Sequence, residues 1–401
     1  MAEMNTERIR MDFPFLKRKI IYFDNAASSQ KPKQVVEAMK DFYYEHYSNV
    51  HRGVHTLSEE ATSMYEKSRE TIADFIGAKK DELVFTKNST EGINLVAYSW
   101  ALNNLKQDDE IVISILEHHA NIVPWQFVCK KTGAKLVYLD IDDEGKIPKK
   151  EYEKINKKTK LVSLTHVSNV LGTIVPVEEV AKIAHDNGAL FLVDGSQSVP
   201  HMPVDLKKIN CDFLVFTGHK MLGPTGIGGL YIRKGLAEEM PPFLYGGDMI
   251  KDVQLYESVF ANPPQRFEAG TPQIAEVVGL AEAVRYLHNL GMENVREHEK
   301  KLLSSILKKL SSLPHVKFYG TLNTEIRGGV VPFNIEGLFA TDVAMFLDEK
   351  RIAVRSGLHC ANPIHKRLGV RSTTRASFYV YNTEEEIDYF VEVLEKLGKS
   401  R

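Results

Sequence analysis

A chain of 401 residues with 43% hydrophobic and 26% charged content is long enough for two packed domains and close to the globular average. Its 51 Lys and Arg against 53 Asp and Glu leave a formal net charge of -2, which argues against nucleic acid or a membrane surface as the main partner. No apolar run approaches the length of a bilayer span, Met1–Arg10 lacks a signal-sequence core, and Cys129, Cys211 and Cys360 form no disulfide framework, so a cytoplasmic protein is expected.

In chain order, Met64, Ser68, Ile72 and Phe75 fall at helical spacing and predict a helix over Thr62 to Ile76, closed by Gly77. Strand-length apolar runs follow at Glu82 to Phe85, Glu110 to Ile115, Lys135 to Leu139, Leu161 to Thr165, Leu190 to Val193, Phe213 to Phe216 and Gly228 to Ile232. Runs apolar throughout suit strands buried on both faces. A helix over Glu178 to Asn187 lies between two of them, preceded by Pro176 and ended by Gly188. The alternation predicts an α/β fold with a mostly parallel seven-stranded sheet. Beyond about residue 290 the texture shifts to longer Lys- and Glu-rich helices, Val295 to Leu310 and a last one opened by the capping box Thr383 and Glu386. We expect a large domain over 17–289 and a smaller α+β domain from 1–16 and 290–401.

Three segments carry chemistry. Thr86-Lys-Asn-Ser89-Thr90-Glu91-Gly92 follows a strand and opens a helix, where free amides and hydroxyls suit a phosphate, although a well-capped helix reads the same way. Phe191-Leu-Val-Asp194-Gly195-Ser-Gln197 ends a strand in a carboxylate, which could hold a protonated ring nitrogen or merely close a turn. Thr217-Gly218-His219-Lys220 ends another strand among small residues, the setting of a Schiff-base lysine as well as of a solvated one. Neither a G-x-x-x-x-G-K-[ST] loop nor a G-x-G-x-x-G fingerprint is present.

These segments, with Tyr22-Phe-Asp24-Asn25-Ala-Ala, Val50-His51-Arg52-Gly53, Glu117-His118-His119-Ala-Asn121, His166-Val-Ser-Asn169, Arg266-Phe-Glu268-Ala-Gly270-Thr271-Pro272, Arg355-Ser-Gly357-Leu-His359-Cys360 and Arg375-Ala-Ser-Phe, span nearly the whole chain in order. Together they resemble the Suf-type cysteine desulfurases, pyridoxal-phosphate (PLP) enzymes of the fold-type I aminotransferase superfamily. The resemblance implies that Lys220 bonds the cofactor aldehyde, Asp194 pairs with the pyridine nitrogen, Gln197 bonds the ring hydroxyl oxygen and His118 stacks on the ring. Thr90, Thr217 and His219 would bind the phosphate, with Thr271 supplied by the second subunit of a homodimer. Asn169 and Arg375 would hold the substrate carboxylate, and His51, Arg52 and Arg355 look like pocket and interface residues.

In the same resemblance Cys360 takes sulfur from L-cysteine as a persulfide, leaving L-alanine, and a sulfur-acceptor protein collects it for iron–sulfur cluster assembly. Arg355 and His359 stand close in sequence, and positive neighbours raise a thiol's thiolate fraction. Many relatives carry two histidines before this cysteine, whereas here Leu358 replaces the first, which bears on the acceptor and leaves the cofactor residues alone. His359 reads equally as a proton donor or a loop residue. Cys129 and Cys211 read as structural. The remaining histidines show no metal-ligand spacing, so no metal is expected. Rival readings are a selenocysteine lyase or cysteine sulfinate desulfinase on the same scaffold, and a non-catalytic scaffold, which would lack the lysine or the aspartate.

Overall fold

The computed structural model describes residues 4–399. All seven predicted runs form strands of one sheet: β1 (Leu83–Thr86), β2 (Glu110–Ser114), β3 (Lys135–Leu139), β4 (Thr159–Thr165), β5 (Leu190–Asp194), β6 (Phe213–Thr217) and β7 (Gly228–Ile232). Their order is β1-β7-β6-β5-β4-β2-β3, and β7 alone runs against the other six. Alternate side chains enter two separate cores. Val112, Leu164, Val193 and Phe216 face one; Ile113, Leu161, Leu192 and Val215 face the other. Each such side chain contributes about 1.5–3 kcal/mol on burial, so the continuous apolar runs have their physical reason on both faces.

Helix α1 (Thr56–Phe75) begins six residues before its predicted start, because His55 caps it: the ring Nδ1 accepts from Ser58 N at 3.3 Å. Helix α2 (Ser89–Leu95) is capped by Asn88, whose side chain accepts from Glu91 N. Gly92 lets this helix lie close on the sheet, since a Cβ there would stand 2.9 Å from Val215 Cγ1. Helix α3 (Val177–Asp186) returns the chain to β5. Helices α4 (Ile274–Leu290) and α5 (Met292–Leu310) lead to a four-stranded antiparallel sheet, in the order β8 (Val316–Phe318), β9 (Val330–Ile335), β11 (Thr373–Ser377), β10 (Arg355–Gly357). The last helix, α6 (Glu384–Lys399), starts on the predicted box: Thr383 N donates to Glu386 Oε2 and Glu386 N to Thr383 Oγ1, both at 3.3 Å. A third core, including Leu303, Ile306, Phe333 and Phe390, fills this part. A short hairpin, Ile250–Val253 with Ser258–Phe260, is a feature the sequence reading did not anticipate.

Candidate active site

The carboxyl ends of the parallel strands open onto a cavity of about 540 Å³, closed on its far side by the loop after β10. Open α/β sheets place ligands there because parallel strands end together and the chain turns outward. Asp194 ends β5, Thr217 ends β6, and Lys220 lies one turn beyond Thr217; all three line the cavity, with Thr90, His118, Asn169, Gln197, His219, Arg355, His359, Cys360 and Arg375. Three residues named from the sequence stand elsewhere, Arg52 among them, with its Nε 3.1 Å from Asp248 Oδ1. His51 is exposed, with φ +72 and its Nε2 3.0 Å from Glu66 Oε1, and does not line this cavity. Thr271 lines a separate opening beside Tyr65 and Glu268.

Asp194 closes a turn and still presents an oxygen to the cavity. Its Oδ1 accepts from Ser196 N at 3.0 Å and from Ser196 Oγ at 2.5 Å, the turn role, while Oδ2 has no hydrogen-bond partner among the described residues. Ser196 Oγ also meets Ser89 Oγ at 2.7 Å, tying the aspartate to the start of α2. The Lys220 amine makes no hydrogen bond or ion pair among the described residues. Burial first, then Arg375 and Arg355, pushes it down to about 8, against the pull of Asp194 and Cys360. Burial and the same lysine hold the imidazoles of His118 and His219 down near 4, so both are neutral at pH 7.

On the opposite wall, Arg355 and Arg375 are direct partners across β10 and β11. Like charges facing one another destabilise a sheet, so their juxtaposition marks a place for an anion. Arg375 is buried; one Nη donates to Asn169 O at 2.9 Å, the other reaches Asp24 Oδ1 at 3.3 Å, and its Nε is unpartnered. Asp24 therefore belongs to the site, a partner the sequence reading quoted without giving it a role. Burial raises its carboxyl, and the two arginines oppose that rise.

Cys360 is exposed and free, and it and His359 have φ of +56 and +49. Two successive non-glycine residues in the left-handed region cost about 1 kcal/mol each or more. The loop is pinned by Asn169 Nδ2 donating to His359 O at 2.8 Å and by His119 N donating to Cys360 O at 2.7 Å. His119 Nε2 also accepts from Asn362 N at 3.2 Å. His359 supplies no positive charge to the cysteine: burial, then Arg375, takes its imidazole down to about 2. Of the two expected cationic neighbours only Arg355 remains, and Arg375, which faces it across β10 and β11, shares the cavity wall. Cys129 and Cys211 lie outside the cavity, Cys211 buried, and burial pushes both thiols up. Among the described residues no cluster could hold a metal ion and no helix is long and apolar enough to cross a membrane.

The class-V aminotransferase model matches residues 21–390. The chain belongs to that family. Within it, the cysteine desulfurase of Haloferax volcanii is 46% identical over 412 residues, covering 98% of this chain and 96% of the relative. A probable cysteine desulfurase of Halalkalibacterium halodurans is 50% identical over 400 residues, 98% of each chain. Among solved structures, the apo cysteine desulfurase of Thermococcus onnurineus NA1 matches with a TM-score of 0.97, 48% identity and complete coverage of both chains.

Family membership makes the cofactor pyridoxal 5'-phosphate, and the donor set fits it. Buried Gln197 Oε1 and Thr217 Oγ1, both in the cavity wall, have no partner among the described residues. Buried polar atoms are rarely left so, and an outside ligand accounts for them. An aspartate oxygen free for a ring nitrogen, an unpaired lysine and a hydroxyl-lined end are the complement of a pyridinium, an aldehyde and a phosphate.

Proposed function

We propose that this enzyme is a cysteine desulfurase whose sulfur-accepting residue is Cys360. The observation that carries this reading is a single cavity lined by an unpaired lysine, a strand-end aspartate and an exposed cysteine on a strained loop. Lys220 would hold the cofactor through its amine, Asp194 its ring nitrogen, Gln197 its ring oxygen, and Thr90, Thr217 and His219 its phosphate, with His118 against the ring face. The bound cofactor supplies an electron-withdrawing ring that makes the substrate Cα proton acidic.

Arg375 and Arg355 bind the substrate carboxylate, Arg375 through Nε and a guanidinium nitrogen, and Asn169 orients that side chain. Lys220 Nζ, neutral in an appreciable fraction at pH 7–8, takes the Cα proton. Cys360 Sγ, as thiolate, attacks the substrate Sγ: the new S–S bond forms as the substrate C–S bond breaks, and the bonding pair stays on the carbon side. A proton delivered to that carbon and another returned to Cα give L-alanine, and the persulfide remains on Cys360 for a thiol acceptor protein.

Nearly full exposure of Val54, Leu255 and Tyr256, with Thr271 beside a second opening, supports a homodimer in which the partner covers these apolar side chains. We take 17–289 as the cofactor-bearing domain and 1–16 with 290–401 as the smaller one, supported by a third core whose buried members, apart from Phe23, lie between Leu302 and Leu394, and by the Arg10–Glu386 ion pair at 2.7 Å. Three free cysteines support a cytoplasmic location and a role in cluster assembly is inferred from the resemblance. Mass spectrometry after mixing with L-cysteine tests the activity: one added sulfur on the Cys360 peptide and released alanine are expected, and alanine released equally well by Cys360→Ser would overturn it.

A further inference from the structure

Behind the cavity wall, the segment Ser28–Lys31 converges on one peptide oxygen. The carbonyl of His219, immediately before Lys220, accepts from Ser29 N at 3.0 Å and from Lys31 Nζ at 2.9 Å. Ser28 Oγ and Ser29 Oγ each stand 3.2 Å from the same oxygen. Ser29 Oγ also accepts from Leu222 N at 2.9 Å, and Lys31 Nζ donates to Ser29 O at 2.5 Å. A carbonyl oxygen has two lone pairs, so this crowd of donors marks a fixed point. The turn it grips is not one that local preference would supply, since Leu222 has φ +65.

Lys31 itself needs explaining. It does not line the cavity, and no carboxylate pairs with it among the described residues. Burial holds its amine down at about 7. Even half-burying a lysine without a counter-ion is costly, and an apolar side chain would fill the space without that cost. We infer that Lys31 is a positioning residue for Lys220: its amine, with Ser28 and Ser29, fixes the His219–Lys220 peptide so that the lysine amine meets the cofactor aldehyde. The inference rests on the reading of Lys220 as the cofactor lysine.

The test uses the full-length apo-chain, as wild type, Lys31→Met and Lys31→Gln, mixed with pyridoxal 5'-phosphate. The cofactor dissociation constant, the rate of borohydride trapping on the Lys220 peptide, and the apo-chain's thermal midpoint are measured together. Loss of a buried donor predicts that Lys31→Met weakens cofactor binding about tenfold and slows trapping to match, with the apo midpoint moving only a few degrees. Lys31→Gln, which keeps an N–H donor, recovers most of both. Wild-type affinity and trapping in both variants overturn the inference, as does a loss of affinity that only tracks the thermal midpoint. If Lys31→Met does not fold, Lys31→Gln decides: a partial loss at an unchanged midpoint supports the role and wild-type affinity overturns it. A wild-type chain never trapped at Lys220 overturns the cofactor reading and the inference together, whereas a trapped wild type with unaffected variants overturns the inference alone.

Discussion

Asp194 and Thr217 stand at the ends of buried strands with Lys220 one turn beyond, whereas Cys360, across the same cavity, stands exposed on a loop held by a few hydrogen bonds, with itself and His359 in the left-handed region. The floor derives its geometry from two apolar cores that would have to be disrupted before it moved. The loop derives much of its geometry from Asn169, His119 and Thr373, none of which belongs to it. The contrast matches the two tasks proposed for these residues. A cofactor must be held at fixed distances through every turnover, while a sulfur carrier must reach inward to the substrate and outward to an acceptor.

Removing one residue from each side breaks the comparison most sharply. Lys220→Ala is expected to lower alanine release by ~10²- to 10⁴-fold and to abolish the visible absorbance of the lysine-bound cofactor. Cys360→Ser should leave that absorbance intact while desulfuration falls by at least ~10³-fold. Parallel spectra for the two variants would show that floor and loop are not separate devices.

A smaller effect separates binding from loop placement. Arg375→Lys loses the planar fork and should raise KM for cysteine ~10- to 100-fold. Asn169→Ala loses the bond to His359 O and should lower kcat about tenfold, with cofactor affinity unchanged. Equal changes in KM for both, with kcat untouched, would assign Asn169 to the carboxylate alone.

The smallest effect concerns the floor's foundations. Glu117 is fully buried, accepts from Thr165 N at 2.8 Å and Asn121 Nδ2 at 2.7 Å, and burial pushes its carboxyl from 4.5 up to about 8. The native chain thus keeps a proton there that the unfolded chain releases above about pH 4.5. Its contribution to stability is complete below that pH and is lost as pH rises to about 8. Thermal midpoints between pH 5 and 8 should therefore fall more steeply for wild type than for Glu117→Gln, by a few degrees. Superimposable pH profiles would count against this account.

How far the sequence could be read follows the same division. The seven strands were legible because a strand buried on both faces must be apolar at every position, a pattern independent of what packs against it. Asp194 and Lys220 could be picked out as candidates because one ends such a run and the other lies a few residues beyond one. The start of α1 was not, since His55 is an unusual cap. Nor was His51, whose left-handed backbone turns it toward Glu66. The charge on His359 was misjudged because adjacency in sequence says nothing of burial. Ser196 is an instance where a signal existed: a hydroxyl two residues after a strand-end aspartate is an Asx-turn pattern.

By itself, then, the order of residues determined the sheet, because hydrophobic periodicity is a local property of the chain, and its motifs sufficed for the resemblance to the family. Only the tertiary structure decided that Asp24 faces Arg375, that two arginines oppose one another across β10 and β11, and that Ser28, Ser29 and Lys31 grip the peptide before Lys220. These contacts join residues up to 351 positions apart. Their chemistry depends on burial and direction, which no local pattern encodes.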